Sequence, residues 1–381
     1  MLEWKECTIA DLGQIITGRT PPTKNNKYWN GSVMFVTPKD IQSTKHIFHT
    51  ERYISELGKL KMSGCVLPKN AVCVSCIGNI GYLGITTQEC ISNQQINSII
   101  VNENNDIDYV YYLLKSLWVY FKHCEGQSTA LSILNKTQFS QIKVKIPTVK
   151  IQKKIASILS ALDDKIELNN KINKNLEEQA QAIFKSWFVD FEPFGGVMPD
   201  NWRMGKVSEI IELHDSKRVP LSGNERDKMA KNYPYYGATS IIDYVDNYLF
   251  DGIYLLLGED GTVINSKGFP ILQYVYGKFC VNNHAHIITG KSGYSVEMLY
   301  LLFNITNVRH IVTGAVQQRI SQIHLKNVSV IIPQENILKD FDKIIQPFFA
   351  VIRKNRDENQ RLSAIRDTLL PQLLNGKIEI P

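Results

Sequence analysis

Apolar residues recur in two long stretches of the chain at the alternating three- and four-residue spacing of a heptad seam. The first stretch contains Ile151, Ile155, Ile158, Leu162, Ile166, Ile172, Leu176, Ala180 and Ile183. The second contains Ile337, Phe341, Ile344, Phe348, Val351, Leu362, Ile365, Leu369 and Leu373, with Pro347 as the expected position of a kink. As helices of about 40 residues they would each be about 60 Å long, well above the length of a typical globular helix.

Two apolar seams in one chain can cover each other, so we predict an intramolecular antiparallel coiled coil. This pairing would place one domain at each end of the helix pair, and the helix length would fix their separation. Asn169 lies in the first seam, where a polar residue fixes the register at a cost in stability. The paired acids Asp163–Asp164 and Glu177–Glu178 are predicted on the solvated face. Two ordinary core helices are the alternative, which their length disfavours.

The segments outside the helices repeat one another. Each half opens with a tryptophan, Trp4 or Trp202, and continues through strand-like segments rich in Gly, Asn, Tyr and Thr. The halves close on similar sequences, GQSTALSILNKTQFSQIKVKIP and GAVQQRISQIHLKNVSVIIP, which end at Pro147 and Pro333. The repeat unit is therefore a whole domain with its helical connector. We predict an α+β fold with two similar β-rich mixed α/β domains, and we divide the chain into residues 1–147, 148–198 (first helical spacer), 199–333 and 334–381 (second helical region).

Composition limits the class of protein without naming it. The chain has 381 residues, of which 44% are hydrophobic and 21% charged, as in ordinary globular proteins. The first residues do not resemble a signal peptide, and no apolar run is long enough for a membrane helix, so we predict a cytoplasmic protein. Seven cysteines in such a chain are expected to be reduced thiols. A net charge of +6 permits a polyanionic partner but does not require one.

No motif for catalysis or cofactor binding is found in the sequence. Dinucleotide and triphosphate loops are lacking, and the NYPY stretch at 232–235 has neither the paired prolines nor the cofactor loop of an amino-methyltransferase. Cys73 and Cys76 form a single C-x-x-C in a predicted strand, with no second one to complete a zinc site. His284 and His286 are predicted to point to opposite faces of a strand rather than to bind a metal. We therefore predict no catalytic site, no metal and no cofactor in this chain.

Planar polar side chains on loops are the groups that recognise base edges in DNA, and lysines and arginines bind the phosphates. The candidates in the first half are Arg19, Thr20, Lys24, Asn25, Lys27, Lys39, Asn79, Gln94 and Gln95. Those in the second half are Lys217, Arg218, Tyr235, Tyr236, Thr239, Asn282, Asn283, Gln317, Gln318 and Arg319. Ordinary turn chemistry is the alternative explanation for each cluster.

Four stretches resemble the specificity subunits of type I restriction-modification systems, and the resemblance covers essentially the whole chain. Ile151–Phe194 and Arg361–Ile378 are similar to the two conserved helical regions of that family. Tyr235–Gly252 and Gly258–Gly261 resemble its target-recognition domains. One departure is that Gln127–Ala130 lacks the Gln-Gln-Arg found near the end of the second half.

The resemblance implies a non-catalytic subunit that acts in host defence and DNA methylation. Its two target-recognition domains would each bind one half of a bipartite site in double-stranded DNA, with half-sites about one helical turn apart. Two modification subunits would dock on the helices and transfer a methyl group from S-adenosylmethionine, which they bind, to adenine N6, and restriction subunits would join them to cleave unmodified DNA. The helix residues assigned to partner docking are Ile151, Ile155, Leu162, Ile172, Leu176, Phe184, Trp187, Phe188, Leu362, Ile365, Leu369 and Leu373.

Two other classes of protein stay open at this point. A self-contained methyltransferase or nuclease is disfavoured by the missing cofactor loop. A coiled-coil scaffold that binds only proteins would show no salt-dependent affinity for duplex DNA.

Overall fold

The computed structural model describes residues 4–42, 44–126, 132–314 and 317–378. The chain divides into two compact units: Met1–Asn170 together with Arg356–Pro381, and Lys171–Asn355. Each unit therefore contains part of both long helices as well as its own sheets. Within the described residues, no helix is long and apolar enough to cross a membrane.

The first unit contains a five-stranded sheet, a four-stranded sheet and an antiparallel strand pair. Its strands are β1 (Lys5–Thr8), β2 (Gly13–Thr17), β3 (Trp29–Val36), β4 (His46–Ile47), β5 (Arg52–Ile54), β6 (Val66–Leu67), β7 (Val72–Ser75), β8 (Leu83–Thr86), β9 (Cys90–Ser92), β10 (Ile96–Val101) and β11 (Lys143–Ile146). Its helices are α1 (Ile9–Leu12), α2 (Glu56–Lys61), α3 (Ile107–Ser116), α4 (Trp118–Gly126), α5 (Lys136–Ser140) and the first part of α6 (Val149–Phe188). The sheet orders are β2-β10-β7-β8-β4, β5-β3-β9-β6 and β1-β11.

The second unit contains a six-stranded sheet and a similar strand pair. Its strands are β12 (Arg203–Lys206), β13 (Ile211–Leu213), β14 (Tyr233–Tyr236), β15 (Ile241–Val245), β16 (Phe250–Gly258), β17 (Leu272–Val281), β18 (Ala285–Gly290) and β19 (Ser329–Ile332). Its helices are α7 (Gly223–Arg226), α8 (Val296–Ile305), α9 (Gln322–Lys326) and most of α10 (Glu335–Leu374). The sheet orders are β13-β18-β16-β17-β14-β15 and β12-β19.

The predicted repeat is confirmed at the level of single backbone hydrogen bonds. β1 pairs with β11 as β12 pairs with β19, and β3 lies parallel to β9 as β14 lies parallel to β17. Matching bonds follow each opening strand: Ile9 N to Ile142 O and Val207 N to Val328 O, then Asn102 N to Leu12 O and Lys291 N to Ile210 O. The two halves of the chain are therefore two copies of one α+β design.

A short helix covers each sheet and buries large side chains. Asp106 caps α3 by accepting a hydrogen bond from Tyr109 N, and Ser295 caps α8 by accepting one from Met298 N. Tyr109 and Met298 are fully buried in the cores of their units. Burial of such side chains removes apolar surface from water and fixes the sheets beneath the helices.

The two long helices pair in antiparallel fashion, as predicted. Each has 40 residues, and α10 is continuous through Pro347. In the first unit Asp163 contacts Arg366 and Asn169 contacts Asn359. In the second unit Asn173 contacts Asn355 and Phe184 packs on Phe341. Within each unit, residue numbers therefore fall along α10 as they rise along α6. The heptad pattern was sufficient to predict this pairing because each apolar seam needs the other to leave water.

Polar residues interrupt the apolar seam of each unit. The side chain of Asn169 is buried, and its Nδ2 donates to Glu358 Oε2 at 2.8 Å and to Asn359 Oδ1 at 2.9 Å. In the second unit, Asn355 Nδ2 donates to Asn173 Oδ1 at 2.9 Å. Shifting either helix by one turn would bury these amides against apolar residues, so they favour one register.

Asp163 is not on the solvated face, and that prediction was wrong. The residue is 5% exposed, and its carboxylate accepts hydrogen bonds from Arg366 Nη1 at 2.5 Å and Tyr112 Oη at 2.8 Å. It continues the buried i+4 series of Ile155 and Leu159, so its position on the helix, rather than its charge, decides its environment. Asp164, the next residue, is exposed.

The charge of Asp163 is balanced by its neighbours. Burial by itself would raise the pKa of this carboxyl, but Lys115, Arg366 and Tyr112 outweigh it, so the pKa lies below its ordinary value. A carboxyl with a lowered pKa stabilises the fold above its unfolded-state pKa, and this contribution is lost as pH falls through the folded-state pKa.

We expect Asp163→Ala to lower the free energy of unfolding of the first unit by about 3–5 kcal/mol, because it removes the buried carboxylate that Arg366, Lys115 and Tyr112 share and leaves Arg366 with only the exposed Asp367. Urea unfolding of the full chain near pH 7 measures the effect, and the gap to the unmodified protein should narrow in acid. The matched control, Asp164→Ala, should change stability by less than about 0.5 kcal/mol. Equal effects of the two substitutions would contradict the assigned role of Asp163.

Candidate nucleic-acid interface

Four loops meet at one edge of the second unit. They follow β14 and β16, precede β18, and lead into α9. Backbone hydrogen bonds connect them: Asn282 N to Tyr236 O, Glu259 N to His284 O, Ile320 N to Glu259 O, and Gly261 N to Gln318 O. The main chain alone therefore brings four segments that are separated in the sequence together.

These loops enclose an open groove of about 530 Å³, lined by five predicted DNA-binding residues. Thr239, Asn283 and Gln317 are exposed in it. Asn282 is buried, and its Oδ1 accepts a hydrogen bond from His284 N at 2.9 Å, so it holds the turn. Tyr235 is also buried, with its hydroxyl accepting from Leu221 N, and it forms part of the wall. Of these five residues, Thr239, Asn283 and Gln317 are therefore the ones that offer side chains to a ligand in the groove.

Arg218 is committed to contacts within the chain. Its Nη1 donates to Glu259 Oε2 at 2.7 Å and to Ala285 O at 2.8 Å, and its side chain is 13% exposed. The sequence-based assignment of Arg218 to DNA is therefore corrected to a structural role. The polar loop pattern could not reveal this, since Glu259, its closer acidic partner, lies 41 residues away in the sequence. The other candidates nearby, Lys217, Gln318 and Arg319, are exposed, and Tyr236 is half-buried.

Asp215, Glu259 and His286 approach one another closely enough to suggest a metal site. Their ligand atoms lie within 4.8 Å of one another. Guanidinium groups already face both carboxylates, however, with Arg218 on Asp215 and Glu259 and Arg319 on Glu259. These guanidinium groups already balance the negative charge that a metal cation would balance, so the cluster is an ion-pair network. His286 is buried in β18, whereas His284 lies in the turn before this strand and is half-exposed. The predicted placement of the two histidines on opposite faces of one strand was wrong, because residues two apart in a strand share a face and His284 is not part of the strand.

The same four loops meet in the first unit. The corresponding hydrogen bonds are Asn93 N to Val36 O, Cys76 N to Gln95 O, Leu134 N to Cys76 O, and Gly78 N to Ser132 O. Gln127–Ala130, whose sequence departs from the second half, lies outside the described residues. The two loop clusters thus share a main-chain arrangement and differ in side chains.

The predicted residues of the first unit are on or near its surface. Arg19, Lys24, Lys27, Lys39, Asn79 and Gln94 are exposed, and Thr20, Asn25 and Gln95 are half-buried. The loop between β2 and β3 is joined to the loop before β10 by Thr20 Oγ1, which donates to Gln94 Oε1 at 2.5 Å. Asn25 caps a turn by accepting from Lys27 N, which is the ordinary turn chemistry considered for it. Lys39 pairs loosely with Glu51 at 3.6 Å.

The helix residues assigned to partner docking divide by burial. Ile155, Phe184, Phe188 and Leu373 are buried in the cores of their own units, so the intramolecular seam uses them and they are not available to a partner. Ile172 and Ile365 are exposed. The others, Ile151, Leu162, Leu176, Trp187, Leu362 and Leu369, are half-buried.

Sequence reasoning missed Glu259 and Asp215, which organise the loop cluster of the second unit. The available signal was a glutamate directly after the apolar strand β16, within Gly258–Gly261. A carboxylate at the end of a buried strand needs a cationic or hydrogen-bonding partner. The identity of that partner could not be inferred without the fold.

We expect Gly18→Ala to lower the free energy of unfolding of the first unit by about 1–3 kcal/mol through overpacking. An added Cβ at Gly18 would lie 2.2 Å from the carbonyl oxygen of Asn93 and 2.3 Å from that of Ser92. Thermal unfolding of the full chain measures the loss. Gly64→Ala is the control, because nothing lies within 4 Å of its added Cβ. An unchanged melting temperature for Gly18→Ala would show that the two loops do not pack this closely.

Comparisons with known proteins agree with this geometry. A family model described as the type I restriction modification DNA specificity domain matches residues 1–178 and 199–364. The MjaIX specificity subunit of Methanocaldococcus jannaschii is 27% identical over 413 residues, which cover 99% of this chain and 94% of that protein. The HindI specificity subunit of Haemophilus influenzae is 34% identical over 181 residues, 46% of this chain and 39% of that protein.

A solved structure shares the fold over nearly the full length. The type I restriction-modification S subunit from M. genitalium superposes with a TM-score of 0.58 at 16% identity, covering 98% of this chain and 96% of that one. Because the family model matches both halves of the sequence, the chain belongs to the type I restriction-modification DNA specificity subunits, which are non-catalytic DNA-recognition subunits with two recognition domains.

Proposed function

We propose that the chain recognises a bipartite site in double-stranded DNA, with one half-site bound by the loop cluster of each unit. The observation that carries this proposal is the pair of matched clusters. Both use the same backbone hydrogen bonds, yet Gln95 corresponds to His284 and Ser132 to Gln318. A shared main chain with different side chains fits two half-sites of different base sequence, since base edges are recognised by side chains.

Exposed cations near the clusters supply affinity that does not depend on sequence. Lys24 and Lys27 lie on a loop of the first unit, and Lys217 lies on one of the second. Contacts of this kind release counterions from DNA, so binding should weaken steeply with salt. This salt dependence separates the proposal from a scaffold that binds only proteins.

Catalysis in this proposal belongs to partner subunits. Two modification subunits dock on the helical regions, bind S-adenosylmethionine and transfer its methyl group to adenine N6, and restriction subunits complete the enzyme. The names of the relatives, which are specificity subunits of type I restriction enzymes, support this division of labour. Ile172 and Ile365, exposed on α6 and α10, are the apolar positions we assign to docking.

We expect methylation of a duplex carrying the host motif only when this chain, its modification subunits and S-adenosylmethionine are all present. The motif is obtained by mapping methylated adenines in the host genome, and transfer of labelled methyl groups measures the reaction. A duplex with one half-site scrambled is the control and should not be methylated. Methyl transfer by the chain alone would contradict its assignment as a recognition subunit.

The length of the helix pair should determine the spacer between half-sites. Both helices continue through the residues where one unit ends and the other begins, at Asn170–Lys171 and Asn355–Arg356. A helix rises 1.5 Å per residue, so one heptad corresponds to about 10 Å, or about three base pairs.

We expect deletion of residues 164–170 together with 359–365 to shorten the preferred spacer by up to about three base pairs. This paired deletion keeps Asp163 beside Arg366 and Asn173 beside Asn355 in register. Methylation of a duplex library with varied spacers measures the preference, and insertion of one heptad at each site should lengthen it. An unchanged spacer accompanied by altered half-site bases would refute the role of the helices in spacing.

A further inference from the structure

We propose that Glu259 is a positioning residue that holds Arg319 for recognition of a guanine in the half-site bound by the second unit. This inference rests on the proposed function and names one base contact within it. Glu259 would not touch DNA itself. It would act through the guanidinium of Arg319.

The carboxylate of Glu259 joins a buried arginine to an exposed one. Its side chain is 9% exposed, and Oε2 accepts from Arg218 Nη1 at 2.7 Å. Its other oxygen, Oε1, accepts from Arg319 Nη2 at 2.9 Å. The side chain of Arg319 is 60% exposed, so one end of the network reaches the surface beside the groove.

Further buried groups support Glu259 from behind. Asp215 Oδ2 lies 2.6 Å from His286 Nδ1, and Asp215 Oδ1 accepts from Ile287 N at 2.9 Å. His286 Nε2 lies 2.8 Å from the carbonyl oxygen of Ile320, the residue after Arg319. The network therefore anchors the chain next to Arg319 as well as its guanidinium.

The backbone of Arg319 is also fixed. Its N–H donates to Thr313 O at 2.8 Å and its carbonyl accepts from Thr313 N at 2.9 Å. The backbone of Arg319 also forms an isolated antiparallel β-bridge with the backbone of Asp260. Asp260 lines the groove together with Asn283 and Gln317. Main chain and side chain thus hold Arg319 in one place, which reduces the conformational entropy it loses when it binds.

The first unit shows that the fold does not need this network. Leu134 N bonds to Cys76 O as Ile320 N bonds to Glu259 O, so Cys76 occupies the position of Glu259. Ile133 forms a backbone β-bridge with Ile77, as Arg319 does with Asp260, so Ile133 occupies the position of Arg319. The same loops form there with a thiol and an apolar side chain.

A buried ion-pair network is therefore an addition in the second unit, and such networks seldom stabilise a protein more than apolar packing does. Its one exposed member is Arg319. We therefore infer that the ion-pair network serves to present the guanidinium of Arg319 to a ligand.

The chemistry favours a base over a phosphate as that ligand. Arginine has five N–H donors, and Glu259 engages only one nitrogen of Arg319, so donors stay free for guanine O6 and N7 in the major groove. Glu259 and Asp260 offset the positive charge nearby, which weakens attraction to a phosphate. A neutral base edge loses much less from this compensation.

The experiment uses the chain in complex with its modification subunits and duplexes in which each guanine of the motif is replaced singly by 7-deazaguanine, which lacks the N7 acceptor. For the complex without amino-acid substitutions, we expect replacement of one particular guanine in one half-site to weaken binding by roughly 5- to 100-fold. Arg319→Ala should bind the natural duplex more weakly and show no 7-deazaguanine effect at that position. Arg309→Ala, an exposed arginine of the same unit, should keep the full effect.

Glu259→Gln tests positioning, since it keeps the shape of the side chain and removes its charge. We expect most of the 7-deazaguanine effect to vanish at that one guanine while the other half-site is recognised as before. Non-specific binding should become more salt-dependent, because the charge of Arg319 is no longer offset. A merely structural role would instead weaken binding to all duplexes alike.

A double variant guards against misfolding. Glu259→Cys with Arg319→Ile installs the residue types that the first unit uses at these positions, and Arg218 keeps Asp215 and the carbonyl oxygen of Ala285 as partners. The variant should therefore fold and should be insensitive to 7-deazaguanine. Specific binding by the unmodified complex without any 7-deazaguanine effect, or an effect that persists in Arg319→Ala, would overturn this inference alone. Absence of sequence-specific binding would overturn the proposed function with it.

Discussion

The pairing of α6 with α10 is the interaction on which the rest of the structure depends. Neither apolar seam can leave water alone, and each covers the other inside both units. Ile155 and Leu159 from α6 pack in one core with Leu370 and Leu373 near the end of α10. The second core likewise combines Phe184 with Phe341. Each sheet is thus attached to a helix pair whose two members come from distant parts of the chain.

The buried polar contacts determine the register in which α6 and α10 pair. The salt bridge of Asp163 with Arg366 joins residues 203 positions apart, and Asn169 donates to Glu358 and Asn359 across the same seam. Apolar seams tolerate slippage, whereas a buried amide or carboxylate left without its partner costs free energy. Hydrophobic burial therefore holds the helices together, and the polar residues select one alignment.

The sequence was sufficient for features that depend on local periodicity. A helical seam repeats within a few residues, so the helices, their pairing and the duplicated plan could be predicted. Asp163 was misplaced because its charge was given more weight than its spacing from Leu159. The order of the strands could not be predicted from the sequence, because the parallel pairs β3–β9 and β14–β17 join segments that no local pattern connects.

The loop clusters were predictable as regions and much less as individual side chains. Thr239, Asn283 and Gln317 do lie together in one groove, whereas Tyr235 and Arg218 support it from within. Loop polarity cannot distinguish these roles, because an arginine that holds a buried carboxylate and one that faces a ligand look the same in sequence. Burial did distinguish them, since the side chain of Arg218 is 13% exposed and that of Arg319 is 60% exposed.

The composition of the first unit also affects the order in which the protein can be made. Arg356–Pro381 belong to this unit, although the ribosome synthesises them after all of Lys171–Asn355. Until they emerge, the side of α6 that bears Ile155 and Leu159 has no helix to cover it, and Trp4 lacks its contact with the turn at Gly376. The domain that is translated first is therefore the one that is completed last, and its nascent form must remain soluble with an uncovered apolar seam.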